Sequence, residues 1–209
     1  MIPYGYRERM SLQGMAIANA SNILKVHQLV IKPAFSALAD ETSRFEAKAE
    51  AGCKLASVSA DLQKYSRREL AISFCLVIQS VWERQFRSFA YTAGMDAPDS
   101  KLVELSQKND WGELVKEFVR VVPATPDPKT ETLKLLKLAA DVCRHGHGRS
   151  FDDLSKKHPS FWPGRTEESS PTMFGLDIPE GQLEEFMVAI HKFWDDLSAV
   201  LAKKSWSGH

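Results

Sequence analysis

Apolar positions recur along this chain at three- and four-residue spacing. Nowhere do they alternate with polar ones over a sustained stretch, so the pattern predicts helices and no sheet. A first helix is expected over 11–32, with Ile23, Val26 and Val30 at helical spacing and Pro33 forcing a stop or kink. An Ala-rich helix follows over 34–64, its thin apolar side formed by Phe35, Leu38, Phe45, Ala49 and Cys53 and its break placed at Gly52. Ser66 has the chemistry of an N-cap for the most apolar helix, 67–93, which Gly94 and Pro98 end. Leu70, Phe74, Val77, Val81 and Phe89 make its ridge, widened by Ile72, Cys75, Leu76, Trp82 and Phe86, so the pattern assigns this helix to the core.

Short helices are expected over 100–108 and 111–121, and Pro123, Pro126 and Pro128 then force a loop. The next helix covers 129–145, with Leu133, Leu136, Ala140 and Cys143 facing inward and Gly146 placed for a left-handed cap. Ser150 reads as the N-cap of a short helix ending near His158 and Pro159. Pro179 opens the last helix, with Leu183, Phe186, Met187, Ile190, Trp194 and Leu197 at core spacing. Phe161, Trp162 and Phe193 read as packing partners of these last segments. The whole predicts one all-α domain over 1–209, an up-and-down helical bundle with additional short helices. Residues 1–10 and 204–209 are expected to fray, and 163–177 to form a loop.

At 209 residues the chain can bury one good core. Lys plus Arg (27) equals Asp plus Glu (27), which excludes a protein that grips a long duplex through many phosphates and restricts any nucleic-acid contact to a local patch. The first ten residues carry Pro3 and Glu8 and no apolar core, unlike a signal peptide. No run approaches the ~20 apolar residues of a membrane span. Cys53, Cys75 and Cys143 are scattered within helical patterns and read as reduced core thiols. The expected location is cytoplasmic, with no membrane partner.

The chain lacks a phosphate-cradling Gly-rich loop, a dinucleotide fingerprint, His-Glu-x-x-His, Gly-x-Ser-x-Gly and zinc-ligand spacing, so no cofactor or metal is expected. The densest cluster is Arg144-His145-Gly146-His147-Gly148-Arg149. Lys134, Lys137, Asp141 and His145 fall in one narrow arc of the preceding helix, so a polar stripe climbs to that turn. Imidazole exchanges protons near neutral pH, and guanidinium holds a phosphate with a planar fork of donors. Together they are the minimum for metal-independent cleavage of RNA by its own 2′-hydroxyl. Helix ends explain the same residues: cations there offset the carbonyl dipole and glycines cap. A second candidate is Arg84, Arg87 and Tyr91 with Glu83, either an anion site or a solvent-side Glu83–Arg87 pair. His27, His158 and His191 stand alone.

The stretch 133–150, from Leu133 through Arg144-His145-Gly146 to Ser150, resembles bacterial members of the HEPN superfamily. Asp141 stands near the usual Asn of an Asn-x-x-Lys-His-Gly element, and the matched region is about twenty residues. The resemblance implies an up-and-down helical bundle, often a homodimer whose two sites meet in one cleft. It further implies RNA cleavage in toxin, phage-defence or stress systems, or nucleotide binding or scaffolding in other members. Nuclease members carry an Arg, then roughly four to six intervening residues, then a His on one helix. Here those places hold Leu138, Ala139 and Ala140 before His145, and Ala140, Asp141 and Val142 before His147.

Three functions follow. The first is a ribonuclease-like or RNA-binding protein, with His145 or His147 as acid/base, Arg144 and Arg149 on the phosphate, and Arg84, Arg87 and Lys137 along the strand. The second is a non-catalytic helical module that self-associates or binds a partner protein. The third is a small-molecule-binding bundle with Trp82 and Tyr91 near a pocket.

Overall fold

A computed structural model describes residues 11–122, 124–163 and 169–205. The segments 1–10 and 206–209, expected to fray, lie outside the described residues, as do Pro123 and 164–168 of the two expected loops. The fold is an all-α helical bundle, and no strand occurs among the described residues. The α-helices are α1 (Leu12–Val26), α2 (Lys32–Glu50), α3 (Lys54–Asp96), α4 (Ser100–Gln107), α5 (Trp111–Val121), α6 (Glu131–His145), α7 (Arg149–Lys157) and α8 (Glu180–Ser205). No helix among the described residues is long and apolar enough to cross a membrane.

Several ends differ from the sequence pattern for local reasons. Pro33 does not stop the chain. A π-helical turn, His27–Ile31, joins α1 to α2, and the Lys32 amide donates to the His27 carbonyl one residue beyond the α-helical partner. The wider turn sits just ahead of Pro33, where the ring removes a donor and crowds the preceding turn. Gly52, with φ of 92°, makes the break between α2 and α3, and Cys53 beside it is exposed rather than in the core. Ser66 is no cap. It lies inside the continuous 43-residue α3, its hydroxyl donating to the Leu62 carbonyl at 3.0 Å. Gly94 is also internal to α3, which ends at Asp96.

The chain clusters into two compact units. One comprises the stretch up to Asn22, Glu83–Pro128 and the chain from Ile190 onward. Its core is aromatic: Phe86 lies 4.7 Å from Phe118 and 4.9 Å from Trp111 by ring centroids, and Phe89 lies 5.3 Å from Trp194. The buried Trp194 indole donates to the Gln85 side-chain oxygen at 2.9 Å. Asp99 and Asp110 cap α4 and α5, accepting from the amides of Leu102 (2.9 Å) and Glu113 (3.1 Å). These carboxylates also suit the positive end of each helix dipole.

The other unit comprises Ile23–Trp82 and Lys129–Ala189. On α3 the buried row here is Ala71, Cys75, Ile78 and Trp82. The ridge expected from the sequence is displaced: Val77 is 44% exposed, and Leu70, Phe74 and Val81 are only partly covered. Val30, at helical spacing with Ile23, is exposed as well. From the second half of the chain come Leu133, Leu136, Phe151, Trp162, Leu183 and Phe186, all buried. Phe151 meets Trp162 edge-on at 5.4 Å, a favoured aromatic geometry. Cys75 and Cys143 share a hydrogen bond, which together with burial pushes the Cys75 thiol well above its ordinary range.

Candidate functional site

Thr130 caps α6, its hydroxyl accepting from the Leu133 amide at 3.4 Å. One face of the helix, with Leu133, Leu136, Ala139, Ala140 and Val142, is buried. Lys134, Lys137, Asp141 and His145 lie off that face. Lys137 reaches Asp141 at 2.8 Å, and Arg144 approaches the same carboxylate at 3.8 Å. Lys134 pairs with Glu131 at 2.6 Å. The polar stripe therefore exists, with Asp141 shared between two cations.

At the end of α6 the Gly146 amide donates to the Val142 carbonyl at 2.8 Å, with φ of 70°. Gly148 takes φ of 149° and is the residue that opens α7. Ser150, expected as the cap, lies one residue inside α7, and Gly148 makes no side-chain cap bond. Two left-handed residues in three positions reverse the chain so tightly that helix resumes at Arg149, and only glycine accepts those angles cheaply. The first turn of α7 closes with Asp152 N–H donating to Gly148 C=O at 3.0 Å.

Arg144, His145, His147 and Arg149 all lie on this short reversal and all are exposed. His147 is steadied by Phe151, whose ring centroid lies 4.6 Å away. The arrangement offers two guanidiniums for phosphate oxygens and two imidazoles for proton transfer. Among the described residues no group of His, Cys, Asp or Glu side chains could hold a metal ion.

Arg84 and Arg87 belong to the other unit, on α3. Arg84 is exposed. Arg87 donates to the Lys108 carbonyl and its guanidinium stands 6.0 Å from the Trp111 ring, so it braces the end of α4 against the start of α5.

Two features escaped the sequence. A cleft of about 470 Å³ opens beside α3, with Lys64, Arg67 and Arg68 on its wall and Phe35 and Ile178 among its apolar lining. Its cations are balanced, Arg67 by Glu180 at 3.0 Å and Lys64 by Glu46 at 2.9 Å. The i, i+3, i+4 spacing of the three was a usable signal, but the acids arrive from other elements. The second feature is an exposed apolar row on α3, Leu55, Val58, Leu62 and Tyr65, at alternating spacings of three and four.

Fold and corner define the chain as an all-α bundle with a compact His/Arg helix-turn-helix corner. Comparison with family models, curated proteins and solved structures finds no match to it.

Proposed function

We propose that the α6–α7 corner is a phosphate-contacting site for single-stranded RNA in a HEPN-like helical protein. The observation that carries it is the exposure of Arg144, His145, His147 and Arg149 on one reversal set by Gly146 and Gly148. Arg144 and Arg149 hold phosphate oxygens, and Lys137 extends the cationic stripe. His145, with His147 as the alternative, acts as the base that takes the 2′-hydroxyl proton. Attack on phosphorus would then form the O2′–P bond and break the P–O5′ bond, leaving a 2′,3′-cyclic phosphate. A protonated imidazole would supply the leaving 5′-oxygen with its proton. Since no Arg precedes either His at the nuclease spacing, binding is the primary role and cleavage the secondary one.

The test is titration of a labelled single-stranded oligoribonucleotide across a salt series. Each of Arg144→Ala and Arg149→Ala is expected to weaken binding and to flatten the log–log salt slope by about 0.7. Unchanged slopes in both variants would remove the corner from the interface. His145→Ala beside the wild type separates the roles: equal cleavage, or none from either, leaves binding alone.

The row Leu55, Val58, Leu62 and Tyr65 favours a second reading, self-association into a homodimer or capture of a helical protein partner. Leu55 is 80% exposed, and the spacing is that of a coiled-coil seam. Light scattering checks it: a wild-type mass equal to that of Leu55→Glu/Leu62→Glu, both monomeric, with nothing retained in pull-downs, would end it. A cytoplasmic location accords with the three free thiols.

A further inference from the structure

Next to the α6–α7 corner lies a single 3-10 turn, Met173–Gly175. A β-carbon placed on Gly146 would stand 3.9 Å from Met173 Cγ, so this turn packs directly against the corner. It is fixed from several sides. The Trp162 indole donates to the Thr172 carbonyl at 2.8 Å, and the Arg68 guanidinium donates to the Phe174 carbonyl. The amides of Gly175 and Leu176 close the turn onto Thr172 (3.0 Å) and Met173 (3.2 Å). Gly175 is pressed so close to Trp162 that a β-carbon there would lie 3.2 Å from the indole. Leu176, the next residue, is fully buried.

Between these anchors Phe174 stands 84% exposed, more than any other large apolar side chain among the described residues. A mobile loop can leave a phenyl ring in water at little consequence. Here hydrogen bonds on both sides hold the backbone that carries the ring. Folding gains nothing from exposing so large an apolar surface, and a turn held in place leaves that surface open to a partner. The corner that Met173 packs against suggests the chemistry: its two guanidiniums and two imidazoles favour an anionic partner, and a phenyl face favours a flat π system. A nucleotide supplies both in one residue, and an aromatic with few rotatable bonds is already ordered for stacking.

We propose that Phe174 is the stacking platform for an unpaired nucleobase of the RNA strand whose phosphate the corner holds. This rests on the corner reading above and adds to it a contact with an accessible base of the strand. Because a phenyl stacks on any base, the site is tolerant of sequence and intolerant of duplex, whose bases are already stacked.

The full chain is titrated with a single-stranded oligoribonucleotide carrying 2-aminopurine, and with an abasic ribose-phosphate strand of equal length. The wild type is expected to quench the fluorescence and to prefer the base-bearing strand. Phe174→Leu, which keeps an exposed apolar side chain but no π face, is expected to lose about ten-fold or more in affinity and the preference with it. Phe174→Trp is expected to keep both. Equal affinity of Phe174→Leu and wild type, or a wild type indifferent to the base, overturns the proposal while leaving the corner standing. A base preference that survives Arg144→Ala/Arg149→Ala at full affinity overturns the corner and keeps the stacking. Binding of neither strand removes both. If Phe174→Leu instead lowers only the mass in light scattering, the ring serves a protein contact and the nucleobase assignment fails.

Discussion

Lys101 reaches the carboxylate of Glu117 at 2.7 Å, joining α4 to α5 across a carboxyl group that is almost wholly buried. Arg120 donates to the other oxygen at 2.6 Å and also engages Asp99, the cap of α4. Lys101 and Arg120 hold the Glu117 carboxyl below its ordinary value of 4.5. Asp99 is lowered too, first by the Leu102 amide that it caps. A buried carboxylate is tolerable here because each oxygen has a cationic donor.

The sign of the pH dependence follows. A carboxyl lowered on folding contributes stability that is complete above its unfolded value and is lost as pH falls through the folded one. Urea unfolding of the wild type is therefore expected to weaken below the ordinary carboxylate range, and Glu117→Gln is expected to flatten that limb. An unchanged acid limb in the variant would assign the loss to other carboxyls.

At neutral pH Glu117→Gln is expected to lower stability by about 1–3 kcal/mol, since the amide replaces charge-assisted bonds with one acceptor and a misplaced donor. Chemical denaturation gives the figure.

Gly94 and Gly181 make a matched pair of helical glycines. A β-carbon on buried Gly94 would lie 2.9 Å from Val103 Cγ2 and 3.0 Å from the Val103 amide nitrogen, while one on Gly181 would meet nothing within 4 Å. Backbone cannot step aside as a side chain can. Gly94→Ala is expected to destabilise by about 1–3 kcal/mol through overpacking, whereas Gly181→Ala is expected to gain up to about 1 kcal/mol from helix propensity. Loss of stability in both would point to a different role for the first turn of α8.

At the corner, Gly148→Ala forces a side chain onto φ of 149°, with open space around it, so backbone strain of about 1–3 kcal/mol is the whole cost. The same change is expected to weaken RNA binding, because Arg149 and His147 are aimed by that residue. Denaturation and RNA titration on one preparation check both, and full RNA affinity in a destabilised protein would separate the glycine from the site.

Much of this was legible locally. Gly52, Gly146 and Pro179 mark breaks and starts because their backbone restrictions act within a few residues, and the core positions of α8, from Leu183 to Leu197, are all buried as their spacing predicts. The His/Arg corner was readable for the same reason, being six consecutive residues. Ser66 and Ser150 misled because a hydroxyl inside a helix and one at its cap look alike in sequence. What separates them is whether the preceding residues continue the turn, as in α3, or reverse it, as Gly148 does.

The sequence by itself determined that the chain is helical, roughly where its helices end and which six residues form the polar reversal, since those follow from hydrogen bonds and dihedral limits spanning four residues or fewer. Only the tertiary structure decided which side of α3 is covered. That helix offers apolar residues around most of its circumference, so periodicity cannot choose between Val77 and the buried row of Ala71, Cys75 and Ile78. It alone set the turn Met173–Gly175 against Gly146, because that turn is held by contacts from Trp162 and Arg68 elsewhere in the chain.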